Sequence, residues 1–279
     1  MSYKTILAIL DTPENAEIAT DFAFALAETH GGHVVGLHAE IISAVPLVVP
    51  MEIPDPAAVQ ALQDMARDEA RAIEQRFRGV AQHKSNSFEW ANFSSSIGYG
   101  SQPLLEHARS ADLVLAVQPD PAKPSDAHVD VESFIFESGR PLLLIPYIFR
   151  QPKPIKRVLI GWNGSREVAR ATFDAMPFLE AAESVEIFSV EPLDSDGHGH
   201  HVTGAAIAAT LVRHGVKAHH KVQESADKAA AVIENRLSDS SIDLLVMGAY
   251  THSRLWQMIF GGTTRTLLHS MTALTLLSR

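Results

Sequence analysis

Short apolar runs alternate with longer amphipathic stretches along the chain, and the whole series occurs twice. Near-continuous apolar runs of this length are typical of parallel strands that helices cover on both faces. In the first half they predict strands at residues 5–10, 33–38, 88–91, 113–117 and 142–145. In the second half they predict strands at residues 157–162, 185–190, 216–221, 244–248 and 274–277.

The stretches between the strands have the composition of surface helices. Thr12 is a favourable N-cap for a helix over residues 13–29, and Gly31 is a favourable C-cap. In the second half, helices are predicted at residues 167–180, 202–214, 226–237 and 264–271. This alternation predicts the fold class: two tandem doubly wound, Rossmann-like α/β domains, each with a five-stranded parallel sheet.

The two series align as an internal repeat. The segment from Lys4 aligns with that from Lys156 at an offset of 152 residues, and the segment from Ala111 aligns with that from Ile242 at an offset of 131. The first half therefore carries 21 additional residues (152 − 131), which we place in the proline-rich residues 41–63. The repeat predicts domains at residues 1–148 and 156–279, joined by a proline-containing linker at residues 149–155. We expect two sheets of one topology, not one continuous sheet.

Composition narrows the function by exclusion. The chain has no cysteine, which excludes disulfides, thiolate metal sites and a cysteine nucleophile. Its net charge of −10, without a clustered basic face, argues against a nucleic-acid partner. No apolar run approaches the ~20 residues that span a bilayer, and the first run stops at Asp11 without a cleavage site. We therefore expect a cytoplasmic protein without a membrane partner.

Two segments of the second half have residues suited to hold an anion. Asn163 follows the first strand and Gly248 ends the fourth, and ligands of open α/β sheets bind at such carboxyl ends. Gly262, Thr263 and Thr264 precede the last helix, where their amides would point at a phosphate along the positive end of the helix dipole. The alternative interpretation is a simple turn followed by an ordinary N-cap.

These segments resemble the tandem universal stress proteins over essentially the whole chain, with one family domain in each half. The resemblance rests on an Ile-Leu-x-x-x-Asp strand at residues 6–11 and an Asp-Leu-Leu-Val-Met-Gly strand at residues 243–248. ATP-binding members have Gly-x-x-Gly, nine residues, and then Gly-Ser or Gly-Thr. Gly248 and Gly261 match the first and third of these glycines with the family's spacing.

The remaining positions of the family's nucleotide site carry other residues here. Thr251 stands at the second glycine, Gly262 at the Ser/Thr position, and Asn163 at the adenine-contacting aspartate. The resemblance implies a site for ATP or another adenine nucleotide, or a related phosphate ligand, in the second half. Its candidate residues are Asn163, Gly248, Thr251, His252, Arg254, Gly261, Gly262, Thr263 and Thr264.

The first half lacks the glycine loop. It has three prolines within residues 117–124, and proline has no amide to donate to a phosphate. We therefore expect this half to be a structural partner, with Asp11 as a polar strand end beside the Thr12 cap. The resemblance also implies that the halves pair through their last strands as an intrachain pseudo-dimer. A further homodimer and an unknown protein partner remain open.

Two other groups of polar residues have competing interpretations. Asp196, His198, His200 and His201 offer ligands for Zn²⁺ or Ni²⁺, and adventitious surface binding is the alternative. Arg166, Glu167 and Arg170 follow Asn163, where an arginine could reach a ligand phosphate; a solvated helix face is the alternative.

The resemblance implies regulation or signalling more than catalysis. We expect a stress-response protein that binds an adenine nucleotide in its C-terminal half. The alternative is an interaction module without nucleotide binding. Slow nucleotide hydrolysis stays open, although the sequence offers no candidate base and no nucleophile motif.

Overall fold

The computed structural model describes residues 2–42, 56–96, 101–120, 122–123, 134–135, 137–193, 200–249 and 271–279. Its strands are β1 Thr5–Ile9, β2 His33–Ile42, β3 Phe88–Ser96, β4 Leu113–Val117, β5 Leu142–Ile145, β6 Arg157–Gly161, β7 Ser184–Pro192, β8 Ala218–Ser225, β9 Leu244–Gly248 and β10 Leu274–Ser278. Its helices are α1 Pro13–His30, α2 Pro56–Ala81, α3 Ser101–Arg109, α4 Arg166–Asp174, α5 Met176–Ala181, α6 His200–Arg213 and α7 Ala229–Asp239.

Each half contributes five parallel strands in the same doubly wound order. The strands form one ten-stranded sheet in the order β3-β2-β1-β4-β5-β10-β9-β6-β7-β8. The expectation of two discontinuous sheets is wrong, because β5 and β10 pair antiparallel and make the sheet continuous. Pairing through the last strands is the arrangement that the resemblance implied, and it relates the two halves by a pseudo-two-fold axis.

The strand register reproduces the repeat residue by residue. Ile6 pairs with Leu113 in the first half, and Val158 pairs with Leu244 in the second. The first members of these pairs differ by 152 residues and the second members by 131, which are the offsets of the sequence alignment. The predicted bounds of β4, β5 and β9 are confirmed.

An aspartate before the fourth strand of each half explains part of the repeated pattern. Asp112 Oδ2 accepts from the amides of Lys4 and Thr5 at 2.7 and 2.9 Å. Asp243 Oδ2 accepts in the same way from the amides of the two residues that begin the second half's first strand, at 2.9 and 2.8 Å. The aspartate of the Asp-Leu-Leu-Val-Met-Gly segment thus ties the amino ends of two strands together, and its role is structural.

Helix α1 begins and ends as the sequence predicts. Thr12 Oγ1 accepts from the amide of Asn15 at 3.2 Å, and Pro13 occupies the first turn, where its missing N–H costs nothing. Gly31 ends the helix with a φ of +60°, a left-handed conformation that glycine adopts without strain.

The predicted helix at residues 167–180 is two helices in the structure. α4 ends at Asp174, and α5 begins at Met176 with Pro177 in its first turn. Proline cannot donate the backbone hydrogen bond of a helix interior and its ring clashes with the preceding turn, so Pro177 favours a break before it over one continuous helix.

The additional residues of the first half fall partly where the sequence placed them. α2 has 26 residues, whereas α6, the helix in the same place of the second half, has 14. More than half of the insertion therefore lengthens a helix, and residues 56–63 of the predicted insertion are helical. Residues 43–55 lie outside the described part of the chain.

Alternate strand residues face opposite layers of helices. Ile6 and Ala8 belong to a large buried cluster with Phe22 and Val168, which joins α1 of the first half to α4 of the second. Leu7 and Ile9 point to the other face and pack in a cluster that includes α3. Among the helices of the described residues, none is both long and apolar enough to cross a membrane.

Candidate functional site

The strand order of the second half reverses between β6 and β9. From β6 the chain adds β7 and β8 on one side, and then β9 and β10 on the other. The carboxyl ends of β6 and β9 therefore flank the crevice in which open α/β sheets hold their ligands. The segment from Trp162 to Ser165 follows β6 there and leads into α4.

Asn163 is held in a tight turn before α4. Its Oδ1 accepts from the amide of Ser165 at 3.1 Å, and Gly164 between them has a φ of +72°. Ser165 then caps the helix, because its Oγ accepts from the amide of Val168 at 3.3 Å. This turn occupies the acceptor of the Asn163 side chain, while Nδ2 keeps its hydrogens as donors.

Gly248 lies against the first turn of α4. A Cβ at this position would stand 2.3 Å from the amide nitrogen of Val168 and 2.5 Å from the carbonyl carbon of Glu167. Val117 occupies the aligned position of the first half and is buried, so α1 leaves room there for a side chain that α4 does not. Close helix packing accounts for this glycine without a phosphate.

Glu167, in the first turn of α4, is a buried carboxylate that pairs with Arg166. Only 5% of its side chain is exposed, and its Oε1 accepts from Arg166 Nε at 2.6 Å. Burial alone would raise the pKa of Glu167, but the bond to Arg166 and the helix-start donors around Ser165 hold that pKa below its ordinary value. The carboxyl is therefore ionised at neutral pH. Arg166 and Arg170 are 83% and 53% exposed, as a solvated helix face requires.

At the equivalent strand end of the first half, the Asp11 carboxylate is bonded to neighbouring residues of the same turn. Asp11 is buried, and its Oδ1 accepts from the amide of Thr12 at 2.8 Å and from Asn15 Nδ2 at 2.9 Å. The expectation that Asp11 is a polar strand end beside the Thr12 cap is confirmed.

Two amides in the described part of the first half's proline-rich loop donate to Asp120. The Ala122 amide donates to Asp120 Oδ1 at 2.9 Å, and the Lys123 amide donates to the Asp120 carbonyl at 2.9 Å. Lys123 Nζ reaches Glu14 in the first turn of α1 at 2.8 Å. That hydrogen bond lowers the pKa of Glu14, so the group is an anion at the helix start. Aspartate and glutamate at this edge disfavour a phosphate.

Several predicted site residues lie outside the described part of the chain. These are Thr251, His252, Arg254, Gly261, Gly262, Thr263 and Thr264 of the nucleotide site, and Asp196 and His198 of the metal site. The backbone of His200 and His201 begins α6, and their side chains are not described. Within the described ranges, no three histidine or acidic residues are arranged to hold a metal ion. The zinc site thus stays a prediction.

The sequence alone left open whether Glu167 is buried. The helical spacing of the apolar residues could have predicted its burial, because the buried residues of α4 are Glu167, Val168, Ala171 and Thr172. These positions form one face with helical spacing, and Glu167 is on it.

The fold and its strand-end crevices define a tandem, doubly wound α/β protein. No protein-family model matches the chain. A universal stress protein from Synechocystis sp. is 25% identical over 281 residues, which cover 95% of this chain and 96% of that protein. A universal stress protein structure from Archaeoglobus fulgidus has a TM-score of 0.72 at 12% identity, covering 99% of this chain and 96% of that one. A Pseudomonas aeruginosa structure of unknown function has a TM-score of 0.59 at 15% identity, covering 99% and 92%.

These similarities agree with the residue pattern of the chain. At such identities the solved structures show the shared fold, while the Synechocystis sequence is similar along almost the entire length. The chain therefore resembles the universal stress proteins in sequence over almost its whole length, and it shares their fold.

Proposed function

We propose that this protein binds an adenine nucleotide, or a related phosphate ligand, in its C-terminal half, and that binding serves regulation rather than catalysis. The ligand lies between Asn163 and the segment from Gly261 to Thr264. The base or ribose contacts Asn163, and the phosphates contact the amides of Gly262, Thr263 and Thr264, at the start of the helix predicted from the sequence.

The observation that carries this proposal is the asymmetry of the two strand-end crevices. In the first half, the carboxylates of Asp11, Glu14 and Asp120 outnumber the ammonium group of Lys123, and the amides of residues 122 and 123 donate to Asp120. In the second half, Arg166 stands at the position aligned with Glu14, and it pairs with the one carboxylate of that turn, Glu167. The Gly248–Gly261 spacing also matches the ATP-binding pattern. An anionic ligand is therefore favoured only in the second half.

Exchange of the aligned Asp11 and Asn163 side chains tests the proposal in the intact chain. The separate halves are poor reagents, because each would expose the strand edge at which β5 and β10 pair. In Asn163→Asp, the new carboxylate can still accept from the Ser165 amide, and we expect tighter adenosine binding. Asp11→Asn is the matched control, and it should leave ATP affinity unchanged.

The phosphate contacts need a separate variant. Gly262→Pro removes one amide donor, and loss of one charge-assisted hydrogen bond costs roughly 1.5–3 kcal/mol, or at least about tenfold in affinity. Isothermal titration with ATP, ADP and AMP measures both effects. Loss of ATP binding in Asp11→Asn, with wild-type binding in Gly262→Pro, would place the ligand in the first half and contradict the proposal.

An interaction module without nucleotide is the competing function. The packing of Gly248 against α4 favours it, because that glycine is explained without a ligand. The absence of heat on titration of the intact chain with all three nucleotides would support this alternative.

A further inference from the structure

A cavity of about 450 Å³ opens where the two halves meet, beside the carboxyl end of β10. The antiparallel pairing of β5 with β10 places Leu142 opposite Leu277, so the loop before β5 lies next to the residue after β10. The described lining residues come from both halves and are Ile135, Gly139, Arg166, Glu167, Arg170 and Arg279. The volume suits a small molecule.

The described lining has more arginines than acidic residues, although the chain as a whole is acidic. It includes three arginines and one glutamate, in a protein with a net charge of −10. Arg170 Nε donates to Asp174 Oδ2 at 2.8 Å, and Ser278 Oγ donates to the same oxygen at 2.6 Å. This arrangement holds Arg170 beside the end of β10, and a guanidinium bound through Nε keeps its other donors for an anion.

Glu167 supplies an independent sign of a ligand. Its side chain is 5% exposed and lines the cavity, and Arg166 occupies its Oε1. Oε2 is buried and accepts a hydrogen bond from none of the described residues. A buried, ionised carboxylate oxygen is costly without a donor, so a donor from a bound molecule would satisfy it.

We propose that the junction cavity binds a small organic anion that also has hydroxyl groups, with a phosphorylated sugar as its chemical class. The phosphate contacts Arg170 and Arg279, and a sugar hydroxyl donates to Glu167 Oε2. Neither contact requires a purine base, so this inference does not depend on nucleotide binding, and the two sites share only the first turn of α4.

Ribose 5-phosphate, ribose and inorganic phosphate are the probes that separate the contacts. Isothermal titration of the intact protein should show one equivalent of ribose 5-phosphate, and weaker binding of ribose or phosphate alone. Arg279→Gln should weaken ribose 5-phosphate about tenfold or more, because it removes a charge-assisted contact. Glu167→Gln should weaken ribose 5-phosphate, whereas inorganic phosphate should bind at least as tightly as in the wild type, because a negative charge is removed from the lining.

Arg213→Gln is the matched control, because it removes the same charge from an exposed position of α6 that is not among the described lining residues of the cavity. Thermal melting of each variant checks that it is folded. The proposal is overturned if ribose 5-phosphate does not bind at millimolar concentration, or if Arg279→Gln and Arg213→Gln bind it equally. Asn163→Asp should change ATP affinity without changing that of ribose 5-phosphate, so failure of one site is distinguishable from failure of the other.

Discussion

Gly248→Ala separates the two reasons for a glycine at the end of β9. If the glycine is there because α4 packs on it, the added methyl group destabilises the fold. If it is there because a phosphate approaches the backbone, the methyl group spares the fold and removes ligand affinity. The contacts at this position favour the first reason, since all the nearest atoms belong to Glu167 and Val168.

The size of the effect follows from these contacts. The alanine Cβ would stand 2.3 Å from the Val168 amide nitrogen, and ordinary packing requires α4 to move by about 1 Å. Overpacking of this kind costs about 1–3 kcal/mol. The displaced amide also donates to the Ser165 cap, whose loss costs about 1 kcal/mol. We therefore expect Gly248→Ala to lower the free energy of unfolding by about 3 kcal/mol.

Urea unfolding with linear extrapolation measures this difference. Gly79→Ala is the control, because Gly79 lies on exposed α2 and its added Cβ would meet no atom within 4 Å. That change should stabilise the protein by about 0.5–1 kcal/mol through helix propensity. A Gly248→Ala protein that unfolds at the wild-type urea concentration but no longer binds ATP would refute the packing argument.

Two further predictions concern the second half. Glu186 is buried, and both of its carboxylate oxygens accept hydrogen bonds from Arg236, at 2.8 and 2.6 Å; His219 Nε2 lies 3.3 Å from Oε2. Burial raises the pKa of Glu186, but these partners hold that pKa below its ordinary value. The stabilisation that the ionised Glu186 provides is therefore present above about pH 4.5 and is lost as the pH falls further. Glu186→Gln should lower the free energy of unfolding by about 2 kcal/mol at pH 7, and by progressively less below about pH 4.5. Urea unfolding at each pH measures this difference. For the histidine loop, zinc titration of the metal-free protein should show one submicromolar equivalent, lost in His198→Ala and His200→Ala, if Asp196, His198, His200 and His201 form a site. Micromolar binding without stoichiometry would indicate adventitious contact.

The strand bounds were predicted best for strands that helices cover on both faces, because almost all residues of such strands are apolar. β4, β5 and β9 are completely apolar except at a terminal glycine, and their bounds were predicted to the residue. The edge strands β3 and β8 were predicted too short, because alternate exposed positions there carry polar residues. Periodicity cannot separate the end of such a strand from a loop.

The elements that the sequence left uncertain depend on tertiary contacts. The continuity of the sheet could not be read from either half alone, because it rests on β5 meeting β10 across more than a hundred residues. The burial of Glu167 depends on β9 approaching α4 at Gly248, a contact between distant segments. The candidate nucleotide residues beyond Ala249 rest on the sequence alone, so variants must test them.

The two edges of the sheet differ in how well the repeat is kept, and this difference bears on function. At the amino edge, Asp112 and Asp243 make the same two hydrogen bonds in both halves. At the carboxyl edge, Glu14 aligns with Arg166 and Asp11 aligns with Asn163, so the charges of the two crevices diverge. In open α/β sheets, contacts throughout the sheet set the fold, and ligands bind at the carboxyl edge. The repeat is therefore kept at the amino edge and diverges in charge at the carboxyl edge, which is the difference that our proposal of a ligand in the second half alone requires.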